Sequence, residues 1–284
     1  MAAHSAKVFG GLAVALVILI GLGVGAVWWL SDRGITPPVP GQQRCVASAG
    51  DRSVALDLDQ AHYASIIVGM SVRRGLPARA ASIAMATVYQ ETGIRNLDYG
   101  DRDSVGLFQQ RPSQGWGTPK QLMDPHYATG AFYDALIKVD GWETDDINDV
   151  AQKVQRSGYP EAYRDHEADA RVLASTLTGY SPAGFSCLDR SGTAGNTAAL
   201  TRSLRKTFGR IESDRSGTSL VIDAPSARRA WAYAHYAVAN AKEYGVTTVT
   251  VAGRQWQTQD MTLPEWTEVA TPGDDPRRVE ITVR

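Results

Sequence analysis

Apolar positions along the 284-residue chain fall into three regimes. The first is continuous: Val8 to Leu30, VFGGLAVALVILIGLGVGAVWWL, carries no charge over 23 residues. As a helix it would be roughly 34 Å long, enough to cross a bilayer core of about 30 Å. Lys7 and the α-amino group precede it and Trp28 and Trp29 sit at its far end, which predicts an N-terminus inside and the bulk of the chain outside. A cleaved signal peptide is the alternative, since Ala26 follows Gly23-Val24-Gly25 in small-residue fashion, although the run is long for a signal h-region. Either reading puts the rest of the chain outside the cytoplasm, as a single-pass cell-membrane protein or a secreted one.

The second regime is helical. After residues 1–30 comes a spacer, 31–44, whose prolines at 37, 38 and 40 make it stiff and extended. From 45 to 188 apolar residues recur at helical spacing. One helix is expected from a cap at Asp59 through Ala64, Ile67 and Val72 to Gly75. A second runs from Pro77 to a Gly93 stop. Others start behind Asp124-Pro125, behind Asp146, and at Pro160 through Tyr163, Ala170, Leu173 and Leu177. No useful strand alternation appears, so this block reads as all-α.

The third regime follows a polar segment, 189–199, read as an interdomain linker. Between 200 and 284, TSLVIDA, VTTVTVAG and RRVEITVR are β-branched runs around a helix carrying Trp231, Ala234, Val238 and Ala241. The expected fold is therefore one transmembrane helix, a mainly α domain, and a small C-terminal α+β domain of unassigned role.

Composition narrows the function classes. With 29 basic against 30 acidic residues, nothing calls for nucleic acid as a partner. The five histidines never form a close pair and the two cysteines share no CxxC spacing, so no metal site and no cofactor are expected. Outside the cytosol Cys45 and Cys187 are free to join, and a bridge closing about 140 residues would stabilise by several kcal/mol; two unpaired buried thiols are the other reading.

Candidate chemistry centres on YQETGIRNLDYGDRDSVGLFQQRPSQGWGT, residues 89–118. Glu91 ends an Ala-rich apolar helix two residues before the Gly93 stop. Burial and the negative helix end both favour the neutral acid, which is the property a general acid needs to protonate a glycosidic oxygen. A lone Glu at a helix end is more often a solvated surface residue.

Downstream elements change that balance. Glu91-Thr92, a polar loop, then Ser104-x-Gly106-Leu107-Phe108-Gln109 and Pro112 resemble the motifs of the lysozyme-like fold, closest to the soluble lytic transglycosylases, over roughly residues 55–180. The resemblance implies a lysozyme-like domain that cleaves the β-1,4 bond between N-acetylmuramic acid and N-acetylglucosamine in peptidoglycan, with Glu91 as acid and base. It implies that Thr92, Ser104 and Gly106 to Gln109 line the cleft, and that Tyr163 stands for the family's late aromatic. Where the family has Tyr-Asn-Ala-Gly, this chain has Gln155, Arg156 and Ser157, a departure that leaves room for a non-catalytic glycan-binding or scaffolding protein. A transglycosylase works with one carboxylate, because the same group that protonates the leaving oxygen then deprotonates the muramic 6-hydroxyl as it closes on the anomeric carbon. A hydrolase normally needs a second, and Asp98, Asp101 and Asp103 are candidates by proximity in sequence, although turn residues are an equal reading.

Tyr99, Gln110, Arg111 and Trp116 complete the expected substrate contacts: an aromatic face for sugar rings, an amide for hydroxyl and acetamido groups, a cation for lactyl or peptide carboxylates. Each also has a plain reading as loop or packing. Trp231, Trp256 and Trp266 read best as core, and the C-terminal domain offers a docking role, toward wall polymer or another envelope protein, rather than a catalytic signature.

Overall fold

A computed structural model of the chain describes residues 41–155, 161–269 and 275–284. The apolar run Val8–Leu30 and most of the proline-rich spacer lie outside the described residues. Among the described residues no helix is long and apolar enough to cross a membrane.

The first element among the described residues is a strand pair rather than a helix. Strands β1 (Arg44–Ala49) and β2 (Arg52–Leu56) form a hairpin, and β3 (Phe185–Leu188) pairs on the other side of β1, giving the antiparallel order β2-β1-β3. The all-α expectation for 45–188 is corrected here. RCVASA is rich in small residues and weak in β-branched ones, so its alternation of buried and partly buried positions did not stand out. Cys45 faces Cys187 in this sheet and the two form a disulfide that spans 142 residues.

Helix α1 (Leu58–Arg73) starts at Asp57, not Asp59: the Asp57 carboxylate accepts from the Gln60 N–H at 2.8 Å while the Gln60 side chain accepts from the Asp57 N–H at 2.9 Å, a reciprocal capping box. Helix α2 (Ala78–Thr92) is buried without interruption from Ala80 to Val88 and packs against neighbours on several sides. A helix that is apolar all round belongs in a core. Its neighbours include α1, α4 (Pro125–Leu136, capped by Asp124), α5 (Ile147–Gln155) and α6 (Glu167–Leu177), with the one-turn α3 (Pro119–Leu122) beside α4. The expected start of the last helix, Pro160, lies outside the described residues; 161–163 form a turn, and a 3-10 turn at Arg164–His166 leads into α6.

The C-terminal part places α7 (Thr197–Phe208), α8 (Ala227–Ala239) and the one-turn α9 (Ala241–Tyr244) against a six-stranded antiparallel sheet of order β4-β5-β9-β6-β7-β8. Its strands are β4 (Glu212–Ser216), β5 (Ser219–Asp223), β6 (Val246–Val251), β7 (Arg254–Gln257), β8 (Thr267–Glu268) and β9 (Arg278–Val283).

Gln43–Arg284 clusters as one compact unit, and α8 shows why. Every residue from Ala230 to Ala239 is buried, because one side of the helix packs on β6 and β9 and another on α1, α6 and β3. Trp231, Trp256 and Trp266 are core residues, 5%, 0% and 8% exposed. Two of them tie the C-terminal part to β3 through their indole N–H groups: Trp256 donates to the Ser186 hydroxyl at 3.0 Å and Trp266 to the Phe185 carbonyl at 2.8 Å.

Candidate functional site

Helix α2 delivers Glu91 to the surface from the middle of the core. Gly93 stops the helix in the left-handed conformation, φ 61°, and its N–H closes on the Tyr89 carbonyl. Ile94 follows at φ 60°, fully buried, an uncommon backbone state for a β-branched residue that the surrounding packing must hold. Glu91 thus sits in the last turn, half-buried, with apolar helix behind it.

Two donors meet the Glu91 carboxyl. The Tyr163 hydroxyl donates to Oε1 at 2.7 Å, and the Gln155 amide, which donates to the Phe108 carbonyl at 2.7 Å, also reaches Oε1 at 3.4 Å. Both converge on one oxygen, and no donor meets Oε2 among the described residues. Burial pushes the Glu91 acid above its ordinary 4.5, and the bonds from Tyr163 and Gln155 oppose that rise without reversing it.

Tyr163 is fully buried and held from both sides. Arg164, next in sequence, pairs with Asp146 at 3.1 Å, and His166 stacks on Tyr89 with centroids 5.3 Å apart while its Nε2 lies 3.1 Å from the Gln90 side-chain oxygen. The 3-10 turn is thereby pinned to α2 one turn from Glu91.

The loop from Ser104 to Gln110 is a wall built on backbone contacts. Gly106 adopts φ 81°, its N–H donates to the Leu97 carbonyl at 2.6 Å, and a Cβ there would lie 2.4 Å from the Leu122 carbonyl oxygen. Leu107 and Phe108 point into the core, Phe108 stacking on Phe132 at 4.6 Å. Their carbonyls face the helices instead: Leu107 O accepts from the Thr92 hydroxyl at 3.0 Å, and Phe108 O from Gln155.

Several residues expected as substrate contacts are fasteners of this wall. Thr92 is tied to Val88 and Leu107. The Gln109 amide donates to the Tyr99 and Gly106 carbonyls at 3.2 and 3.3 Å. Gln110 is 2% exposed and donates to the Ala128 carbonyl, and Ser104 is buried. Tyr99 stands out in solvent, 68% exposed. Arg111 is engaged by Asp103 at 2.9 Å, and that carboxylate also accepts from the Ser113 N–H at 2.7 Å; Arg111 first, then Ser113, hold Asp103 down at about 2. Asp98 and Asp101 are exposed, and no hydrogen bond joins any of the three aspartates to Glu91 among the described residues.

Beside Gln155 opens a cleft of about 620 Å³, within the usual range of small-molecule sites. Trp116, partly buried against the core, lines it together with Gln114 and Gln155, while Ala135, Val139 and Val154 add apolar surface. Lys138 and Lys153 also line it. Neither lysine stood out in the sequence, because Lys138 follows a helix end and Lys153 lies in a last turn, where cations are ordinary. The cavity of about 630 Å³ by β5, around Asp223, Tyr233 and Arg277, shares no lining residue with this cleft.

Among the described residues no cluster of His, Cys, Asp and Glu is arranged to hold a metal ion. No protein-family model matches the chain, and no curated protein matches its sequence.

Proposed function

We propose that the chain is a peptidoglycan-cleaving enzyme of lytic transglycosylase or lysozyme type, acting on the bond between N-acetylmuramic acid and N-acetylglucosamine through Glu91. The observation that carries the reading is the Glu91 carboxyl itself: half-buried, raised above its ordinary range, and met on Oε1 by Tyr163 and Gln155. Such an acid delivers its proton to a glycosidic oxygen as the bond to the anomeric carbon breaks.

The resulting carboxylate is stabilised by Tyr163 and Gln155, both of which favour the charged form. It then serves as base. If it takes the proton of the muramic 6-hydroxyl, that oxygen closes on the anomeric carbon and a 1,6-anhydro sugar results; if it takes a proton from water, a reducing end results. A retaining hydrolase would place a second carboxyl about 5 to 5.5 Å away and an inverting one about 6.5 to 9.5 Å, whereas a transglycosylase needs none, so the ends of the products separate the two outcomes. Gln155, at the position where the sequence departs from the family pattern, supports catalysis rather than its loss because its amide touches the acid.

An extracytoplasmic, membrane-anchored setting, as the sequence leads one to expect, would fit this reading, and the disulfide between Cys45 and Cys187 agrees with it. The test is a digest of purified peptidoglycan with the full chain, its soluble products resolved by mass. Anhydro-muropeptides mean transglycosylation, hydrated ones mean hydrolysis, and no products would leave a glycan-binding protein without cleavage.

A further inference from the structure

Two lysines, Lys138 and Lys153, line the cleft beside Gln155, and Asp145, Asp149 and Asp140 lie within electrostatic reach of Lys153. Lys138 is exposed at its edge and makes no ion pair among the described residues; Lys153 is bound to Asp145 at 2.9 Å. No carboxylate is among the described lining residues. The cation nearest the catalytic loop in sequence, Arg111, is already engaged by Asp103. A neutral sugar needs an aromatic face and amide groups, which Trp116 and Gln155 supply, and it brings no opposite charge to Lys138. A sugar that bears a carboxylate gives Lys138 an opposite charge to meet, in an exposed contact that salt screens.

We infer that this cleft selects glycan by its carboxylates, with Lys138 as the specificity-determining residue and Lys153, partly neutralised by Asp145, in a lesser part. The inference rests on the proposed reading of Glu91 as the cleaving acid, because it concerns the same substrate on the side of Gln155. The carboxylates come from one of two sources, the lactyl group of muramic acid in a peptide-free strand or the peptide stems of an intact one.

Binding to the full-length Glu91→Gln variant tests this without turnover. Three probes are compared by calorimetry: a neutral N-acetylglucosamine oligomer, a peptide-free strand that alternates N-acetylmuramic acid with N-acetylglucosamine, and the same strand with its stem peptides. The expected result is that one or both carboxylate-bearing strands bind more tightly than the neutral oligomer, with the difference shrinking as salt is raised. Lys138→Gln should reduce that preference by about 5-fold while leaving neutral binding unchanged, and Lys138→Arg should retain it. Whichever strand carries the preference identifies the source. Equal binding of all three probes, no binding of any, or a Lys138→Gln effect that falls equally on the neutral oligomer would overturn the inference. Failure of the parent chain to cleave would instead strike the Glu91 reading and leave a carboxylate preference standing.

Discussion

The Tyr163 hydroxyl donates to Oε1 of Glu91 at 2.7 Å across 72 residues of sequence. That bond favours the charged carboxylate, against the burial that favours the acid. Removing it with Tyr163→Phe leaves burial less opposed, so the Glu91 pKa rises further. Because the first step needs the protonated acid, activity falls as pH rises through that pKa, and the alkaline limb of kcat/KM is expected to move to higher pH in the variant. A rate loss of roughly 10-fold or less should accompany it, since Gln155 still reaches Oε1. A pH–rate profile checks this; a lower rate with an unmoved limb would make Tyr163 a packing residue only.

Gly106 tests the wall. A methyl group there meets the Leu122 carbonyl at 2.4 Å and also faces the φ of 81°. Gly106→Ala is expected to cost about 1–3 kcal/mol in a denaturant titration. Activity should fall further than stability alone explains, because the Leu107 and Phe108 carbonyls anchor Thr92 and Gln155 on either side of Glu91.

His235 sets an acid limit on the fold. It is fully buried among Phe185, Trp231 and Trp266, its Nδ1 is 2.7 Å from the Thr176 carbonyl, and Nε2 has no partner among the described residues. Burial drops its pKa from 6.5 to about 4. The folded state therefore holds fewer protons than the unfolded one between those values, and the neutral ring's contribution, complete above about pH 6.5, is lost as pH falls toward 4. Stability is expected to drop by on the order of 2 kcal/mol from pH 7 to pH 4.5 through this residue. His126, also lowered to about 4 by burial and Lys206, titrates in the same window. The diagnostic is thus the difference: His235→Gln should be less stable than the parent at pH 7 yet lose less on acidification.

Much of this was legible in the sequence where local chemistry decides. Gly93 as the α2 stop and Asp124-Pro125 as the α4 start follow from cap rules, and the three tryptophans read correctly as core. The α1 start is also written locally, in the capping box Asp57-x-x-Gln60 rather than at Asp59. Strands β1 to β3 were hidden by small residues and by a partner 142 residues away. Within the site, the place of Glu91 at the end of an apolar helix was legible from the sequence, whereas the fastening roles of Thr92, Gln109 and Gln110 depend on which carbonyl each side chain meets. No sequence pattern encodes that, nor that Lys138 and Lys153 share a cleft with Trp116.

The most direct measurement is the release of soluble muropeptides from purified peptidoglycan by the full chain beside its Glu91→Gln variant, with circular dichroism to show that both are folded. Gln keeps the shape of Glu and the bonds to Tyr163 and Gln155 but has no proton to deliver. The parent should release products and the variant should release about 10²–10⁴-fold less. Equal release by the two, or none by the parent, would contradict Glu91 as the acid.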